Sequence, residues 1–524
     1  MYLLRFHQLG GVAVLTFMLC VNVAAQPYQA TKRALRATWI ASVVNIDWPS
    51  KPGLTAQEQQ LEFIQLLDEQ VELGMNAVIV QVRPVADTFY PSANEPWSQY
   101  LTGEQGKAPV YNPLQFMIEE SHRRNLEFHA WFNPYRASMK EELDGISEKH
   151  PLQWCPEWFV PYGGRWYYDP GNREARAFVL DEIIEVVRHY DLDAVHFDDY
   201  FYPYKVAGEE FPDSLSHAFY GAGFDSKDDW RRDNVDFFVE TLSRRIKEVK
   251  PYVKFGISPF GVWRNKDKDP LRGSDTQAGQ TNYDDLYADV LKWLREDWID
   301  YVTPQIYWHR GFDLAGYEVL SEWWDENAYG KHVYIGQGLY RVGNHDSWQD
   351  PAELPEQLRL NETLPSINGS MFFSAKHWSV NKLGIKDSID AYYRSPALVP
   401  TMPWIDSEAP LSPDLVGVSG HHKIGVQLVW KDDPLSDEQY YAVYRFEGHE
   451  GGDIQEGAKI IAKVRRRAKQ QQTYIDLSAK KGKKYTYAVT AVDRLHNESQ
   501  ASNAFYVKFK TFGGRVVAQG ARLN

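Results

Sequence analysis

From Arg36 to about Arg394 the chain alternates short apolar runs with amphipathic segments, and this alternation restricts the fold more than any other feature. Parallel strands cannot be joined by a tight turn; each needs a crossover of a dozen or more residues, usually a helix. Apolar, β-type runs fall at 37–44, 76–82, 127–132, 192–197, 253–258, 299–307, 332–340 and 369–374. Helical spacing returns between them. At 58–73, Leu61, Ile64, Leu67 and Val71 share one face, and Gly74 follows as a stop signal. Further helices are predicted at 113–125, 174–190, 233–249, 283–296, 314–327, 355–362 and 385–393. Eight such units predict an α/β chain, a (β/α)8 TIM-type barrel over residues 33–395 with inserted loops.

The pattern changes after the barrel. Residues 396–413 are rich in Pro and Ser and read as a linker. Runs at 426–430, 440–446, 473–477 and 485–492 are short and alternating, with no helical spacing between them. They predict a small all-β sandwich at 414–510, followed by a tail at 511–524. Residues 1–25 have the form of a signal peptide, with Arg5, an apolar run at 11–23 and Val23-Ala24-Ala25 before Gln26. Phe17-Met18-Leu19 before Cys20 makes a poor lipobox. The expectation is therefore an exported protein, periplasmic or secreted, without a lipid anchor. No later stretch is apolar enough to span a membrane. Cleavage leaves Cys155 as the one cysteine, which excludes an intrachain disulfide. The net charge of −14 argues against a nucleic-acid partner.

The chemistry concentrates where the strands end. The run 192–197 stops abruptly in Asp198 and Asp199, followed by Tyr200, Phe201, Tyr202 and Pro203. Ionised carboxylates are costly inside a core, so they belong at the strand exit, the face on which barrel sites are built. A structural alternative stands beside this: the two Asp cap the next element or close an ion pair. Other strand ends carry Trp48, Arg83, Asn133, Tyr135, Arg136, Gln305, Tyr307 and Trp308, and a closed barrel gathers them on one face. Acetal hydrolysis needs a proton donor for the leaving oxygen and a carboxylate to assist water or stabilise an oxocarbenium ion. Aromatic faces pack on sugar rings, and aromatic residues are 14% of the chain. Successive side chains of a regular strand point opposite ways, so Asp198 and Asp199 share the barrel axis only if the strand kinks.

Asp47, Asp87, Asp169, Asp269 and Asp275 compete for a second carboxylate role, although a turn or cap role suits Asp169 better. No metal or cofactor is expected, because no Cys or His-Glu-x-x-His spacing is present. His129 reads as a satisfied core histidine. The basic runs 463–469 and 480–484 read as solvated hairpin ends, with docking to an acidic envelope component as the alternative.

The motifs RATWIASVVNIDWPS, QVRPVADTFYPS, EPWSQYLTG, YNPLQFMIEESHRRNLEFHAWFNPYR, HFDDYFYP, GISPFGVWRN and DYVTPQIYW resemble the glycosyl-hydrolase-like family 10 proteins of bacterial envelopes. The resemblance covers roughly residues 33–394 and implies a (β/α)8 barrel. One branch of that family is a divisome-localised glycosidase of denuded peptidoglycan, glycan already stripped of stem peptides. The family's motif residues fall on Asn133, Arg136, Asp198, Asp199, Gln305, Tyr307 and Trp308. The implied substrate is an amino-sugar polymer. Hydrolysis of a host, dietary or capsular polysaccharide, or glycan binding without turnover, are the competing readings. The segment around Trp430 and TYAVTAVDRLHNES resembles a fibronectin type III module, which spaces or docks rather than catalyses.

Overall fold

The computed structural model describes residues 31–421, 425–431, 436–509, 516–517 and 519–521. The expected signal segment, 1–25, lies outside them. Eight parallel strands close into a barrel: β1 (Leu35–Ile40), β2 (Ala77–Arg83), β3 (Glu127–Phe132), β4 (Ala194–Phe197), β5 (Lys254–Ile257), β6, β7 (His332–Gln337) and β8 (Ile367–Phe372). The last pairs with both β7 and β1, which closes the ring. Strand β6 consists of two pieces, Tyr301–Val302 and Gln305–Ile306, on either side of Pro304. Proline has no N–H for the ladder, yet both pieces keep their register against β7.

Alternation along the strands separates two apolar layers. Leu35, Ala37, Trp39, Ile79, Trp131, Ala194, Tyr301 and Met371 fill the barrel interior. The residues between them, such as Ile40, Val80, Ala130, Val195 and Phe255, pack outward under the helices. Gly256 is required for the interior packing: a Cβ there would stand 1.9 Å from the Tyr301 ring. The first helix runs Ala56–Glu72, with Thr55 and Glu58 forming a capping box. The helix predicted at 283–296 is broken instead into Asn282–Asp285 and Val290–Arg295. Tyr287 between them is left-handed (φ 53°), and the Asp289 side chain caps a fresh helix by accepting from the Lys292 N–H.

The second unit is a pair of antiparallel sheets. Asp414–His421, Gly425–Lys431 and Gln471–Asp476, with the short Val516–Val517, form one sheet. Tyr440–Glu447, Ile460–Arg465, Lys484–Val492, Ala504–Lys508 and Gln519–Ala521 form the other. Trp430 is fully buried between them, its ring centroid 5.2 Å from that of Tyr441.

This sandwich is docked on the barrel floor. Glu127, at the start of β3, lies in a buried cluster with Lys254, His129 and His496, the last donated by the sandwich. His129 is thereby a satisfied core histidine, 2.9 Å from the Tyr301 hydroxyl through its other ring nitrogen. Arg494 reaches Asp191 at 2.7 Å. The basic run 463–469, expected as a solvated hairpin end, begins inside the strand Ile460–Arg465 and faces the barrel. The Asn125 amide donates to the Lys463 carbonyl, and Arg465 lines the same crevice as Asp193. The acids of the floor account for this placement. The predicted linker also packs down: Leu398 is buried, and the Trp404 indole donates to Asp300 at 3.1 Å.

Candidate active site

A cavity of about 390 Å³ opens at the C-terminal ends of the strands, and Asp198 and Asp199 are the two acidic residues on its wall. Ala194 faces the barrel interior, so His196 and then Asp198 follow in the same phase. The His196 ring lies 2.9 Å from the Tyr301 hydroxyl and 3.2 Å from the Ser258 hydroxyl, forming part of the floor. A regular strand would turn Asp199 away. Strand β4 ends at Phe197, the chain leaves extended geometry, and both carboxylates reach the cavity.

Asp198 is held by a chain of amides. The Asn133 amide donates to both of its oxygens, at 2.7 and 2.6 Å. Asn133 Oδ1 accepts from Gln81 Nε2 at 2.6 Å and from Arg136 Nη2 at 2.9 Å. Gln81 Oε1 accepts in turn from the N–H groups of Ser42 and Val43, at 3.1 and 2.9 Å. Each amide is thereby fixed with its NH2 toward Asp198. Burial, and then the charge of Asp199, push the Asp198 carboxyl up to about 7. Burial raises Asp199 as well, opposed by hydrogen bonds from the Tyr204 hydroxyl and Gln305.

Aromatic rings make most of the remaining wall. Tyr200 stacks on Tyr204 with centroids 5.4 Å apart, and the Arg136 guanidinium lies 4.9 Å from the Tyr200 ring. Phe260 meets Trp308 edge-on at 5.5 Å, and Tyr307 meets Tyr340 at 5.7 Å. Trp39, Trp131 and Phe373 complete the wall. The arrangement provides flat apolar faces, a few amide and guanidinium donors, and two carboxyls, of which Asp198 holds its proton up to about pH 7.

Of the residues expected from the sequence, Asp198, Asp199, Arg136, Tyr200, Gln305, Tyr307 and Trp308 line the cavity, with Asn133 directly behind Asp198. Three lie elsewhere. The β2–β3 register shifts between Gln81 and Arg83, and Arg83 is fully buried in a 2.5 Å pair with Glu95. Its Nη1 donates to the Asn133 carbonyl at 2.7 Å, so it braces the site from behind. Tyr135 is buried with its ring 5.3 Å from Phe238. Trp48 packs on Phe63 at 5.2 Å, and its indole donates to the Gln59 carbonyl.

The competing carboxylates are also away from the cavity. Asp47 ties β1 to the loop after β8 by accepting from the Ala41 N–H and the Ser374 hydroxyl. Asp169 closes a turn with Gly171 and Ser216. Asp269 pairs with Arg272, Asp275 is exposed, and Asp87 is buried against Gln105. Gln81, Trp39, Trp131 and Tyr204 also line the cavity, although none was singled out by sequence. Gln81 had a signal, as the polar member of the inward series Ala77, Ile79, Gln81. Among the described residues no group of three potential metal ligands is present.

With this geometry in view, comparison with known proteins decides the family. The model of the family described as "Glycosyl hydrolase-like 10" matches residues 34–352. The chain belongs to that family. It is 53% identical over 498 residues to "Glycosyl hydrolase YngK" of Bacillus subtilis (strain 168), covering 93% of this chain and 96% of that one. It is 39% identical over 370 residues to "Glycosyl hydrolase DigH" of Escherichia coli (strain K12), covering 66% of this chain and 84% of that one. Residues 423–510 match the "Fibronectin type III domain SaeA third domain". The protein is a glycoside hydrolase with a fibronectin type III-like module, and its substrate is a sugar polymer.

Proposed function

We propose that the polymer is bacterial cell-wall glycan, cleaved as peptide-free strands outside the cytoplasm. The observation that carries this reading is convergence. Six of the seven residues on which the motif resemblance rests, Arg136, Asp198, Asp199, Gln305, Tyr307 and Trp308, share one cavity wall, and the seventh, Asn133, orients Asp198. Residues 1–25 supply the export signal, and the single cysteine of the remaining chain suits a fold that needs no disulfide.

In this reading Asp198 is the proton donor and Asp199 its ionised partner. As the bond from the anomeric carbon to the bridging oxygen breaks, Asp198 passes its proton to that oxygen and the leaving sugar departs as an alcohol. The carboxylate of Asp199, held by Tyr204 and Gln305, stabilises the positive charge that develops on the ring. Water adds to the anomeric carbon, and its proton restores Asp198.

A second polysaccharide class is favoured by one feature. The rings, amides and the two guanidinium groups, Arg136 and Arg341, on the wall suit a pyranose in general, and no group among them is specific to an amino sugar. Incubation with denuded glycan strands, intact sacculi and a panel of plant, host and capsular polysaccharides separates the two. Soluble fragments from denuded strands, identified by mass spectrometry, are the expected result. Turnover confined to another polymer sinks the cell-wall assignment.

A further inference from the structure

A second cavity, about 380 Å³, adjoins the catalytic one of about 390 Å³. Neighbouring residues line the two: Val43, Ile46 and Arg136 the first, Val44, Asn45 and Ala137 the second. The loop after β1 is the ridge they share. Val44 and Asn45 are both left-handed there, with φ of 46° and 53°. For a valine this backbone is a steric outlier, of the kind that persists only where surrounding structure enforces it. Asn45 provides that restraint by donating to the Pro49 and Tyr100 carbonyls, at 2.9 Å each. The Val44 side chain is left 55% exposed on the cavity wall.

The opposite wall is the loop of residues 138–146, with Met139, Leu143 and Ile146 as its apolar face. Gln105 pins this loop: its Oε1 accepts from the Ser147 N–H at 3.0 Å, and its Nε2 donates to buried Asp87 at 3.1 Å. Tyr100 and Gln99 join a surface of apolar side chains, a few amides, the His150 ring and the charged Lys140, Glu142 and Asp144. Apolar side chains with a few polar groups converging on them make a ligand cleft, and the polar groups can bond sugar hydroxyls. A polymer held at Asp198 and Asp199 has to leave the catalytic cavity across its rim, and the Val43–Ile46 ridge is a rim with a ready-made cavity beyond it.

We propose that this second cavity binds further sugar units of the same glycan strand, as a subsite that favours long chains over short ones. The inference rests on the cell-wall reading above. Its test uses the full-length protein and peptide-free glycan oligomers of graded length. The expected result is a kcat/KM that rises roughly tenfold, about 1.4 kcal/mol, once a chain spans both cavities, and then levels off. Met139→Trp, which fills the second cavity, abolishes that gain through KM and leaves turnover of the shortest cleaved oligomer unchanged. Gln99→Ala, at an exposed position, gives a smaller loss of the same kind and replaces it should the Trp variant fail to fold. A kcat/KM independent of length, or an equal loss on every length, overturns the subsite while leaving the cell-wall reading intact. A wild-type protein inert on all lengths overturns the cell-wall reading, and the subsite falls with it.

Discussion

The Asn133 side-chain amide donates to both oxygens of Asp198, and its orientation is fixed from behind by Gln81 and Arg136. These donors favour the ionised carboxylate and therefore hold Asp198 below where burial alone would put it. Asn133→Ala should raise the Asp198 pKa above its value of about 7, moving the alkaline limb of the kcat/KM profile to higher pH. The loss of orientation should also lower kcat on the order of ten- to a hundredfold, as for other partners that orient a reacting group. Gln81→Leu should shift the limb the same way by less, because it acts through Asn133. An unmoved limb in both variants would separate the amide chain from the chemistry.

Asp198→Asn and Asp199→Asn should each reduce kcat by roughly a thousandfold or more, the range expected for a lost acid or charge stabiliser. Both should fold, and both should be more stable than wild type above neutral pH. Each folded-state pKa is raised above the ordinary 3.8. The folded protein therefore holds the proton more tightly than the unfolded chain, and wild-type stability falls as pH rises from about 4 toward the folded pKa. The asparagine variants do not bear that cost. Thermal melts should show a gap that for Asp198→Asn opens between about pH 4 and 7 and stays constant beyond, and for Asp199→Asn opens as pH rises from about 4 toward its raised folded value. A gap that widens in acid instead would reverse the electrostatic assignment.

Tyr204→Phe tests the other carboxylate. Its hydroxyl donates to Asp199, while its ring stacks on Tyr200 at 5.4 Å. The phenylalanine keeps the ring and removes the donor, so the Asp199 pKa should rise. The acid limb of kcat should move to higher pH with KM nearly unchanged. A changed KM with an unmoved limb would mean that Tyr204 serves only as a sugar platform.

How far the sequence reaches is visible in particular residues. The barrel was legible because eight apolar runs at crossover spacing admit few folds, and the register of each strand follows its alternation. Asp198 was legible for the same reason, in phase with Ala194 and His196. Asp199 was named beside it from the same strand exit, but whether both could face the cavity was left open, since that depends on β4 ending at Phe197, and a strand's last residue is set by tertiary contacts. Arg83 and Trp48 were misplaced by local causes. A register shift after Gln81 displaces the first, and the packing of the helix Ala56–Glu72 buries the second. The basic run 463–469 read as solvated because only the folded chain shows that its first residues, in the strand Ile460–Arg465, meet Asp193 and Glu127 of the barrel floor.

That floor gives the final prediction. Burial would raise the Glu127 carboxyl, but Lys254 and His496 override it and hold it well below the ordinary value. Burial would raise Asp193 too, and His122 overrides it. His496 donates to Glu127 Oε1 at 2.6 Å; burial pulls the pKa of its ring down while the Glu127 carboxylate opposes that shift. Depressed carboxyl pKa values stabilise the folded state above the ordinary 3.8 to 4.5 range and lose that contribution as pH falls through the folded values. His496→Ala removes one of two donors to Glu127 Oε1 and leaves Lys254 in place, so it should cost about 1.5–3 kcal/mol near pH 7, the usual worth of a hydrogen bond to a charged group. The difference from wild type should shrink as pH falls below the ordinary 4.5 toward the depressed Glu127 value, where the carboxyl protonates. Chemical denaturation at pH 7 and pH 3.5 measures both values. Equal stability of variant and wild type at pH 7 would mean that the sandwich only rests on the barrel, whereas the expected loss makes it part of one folding unit.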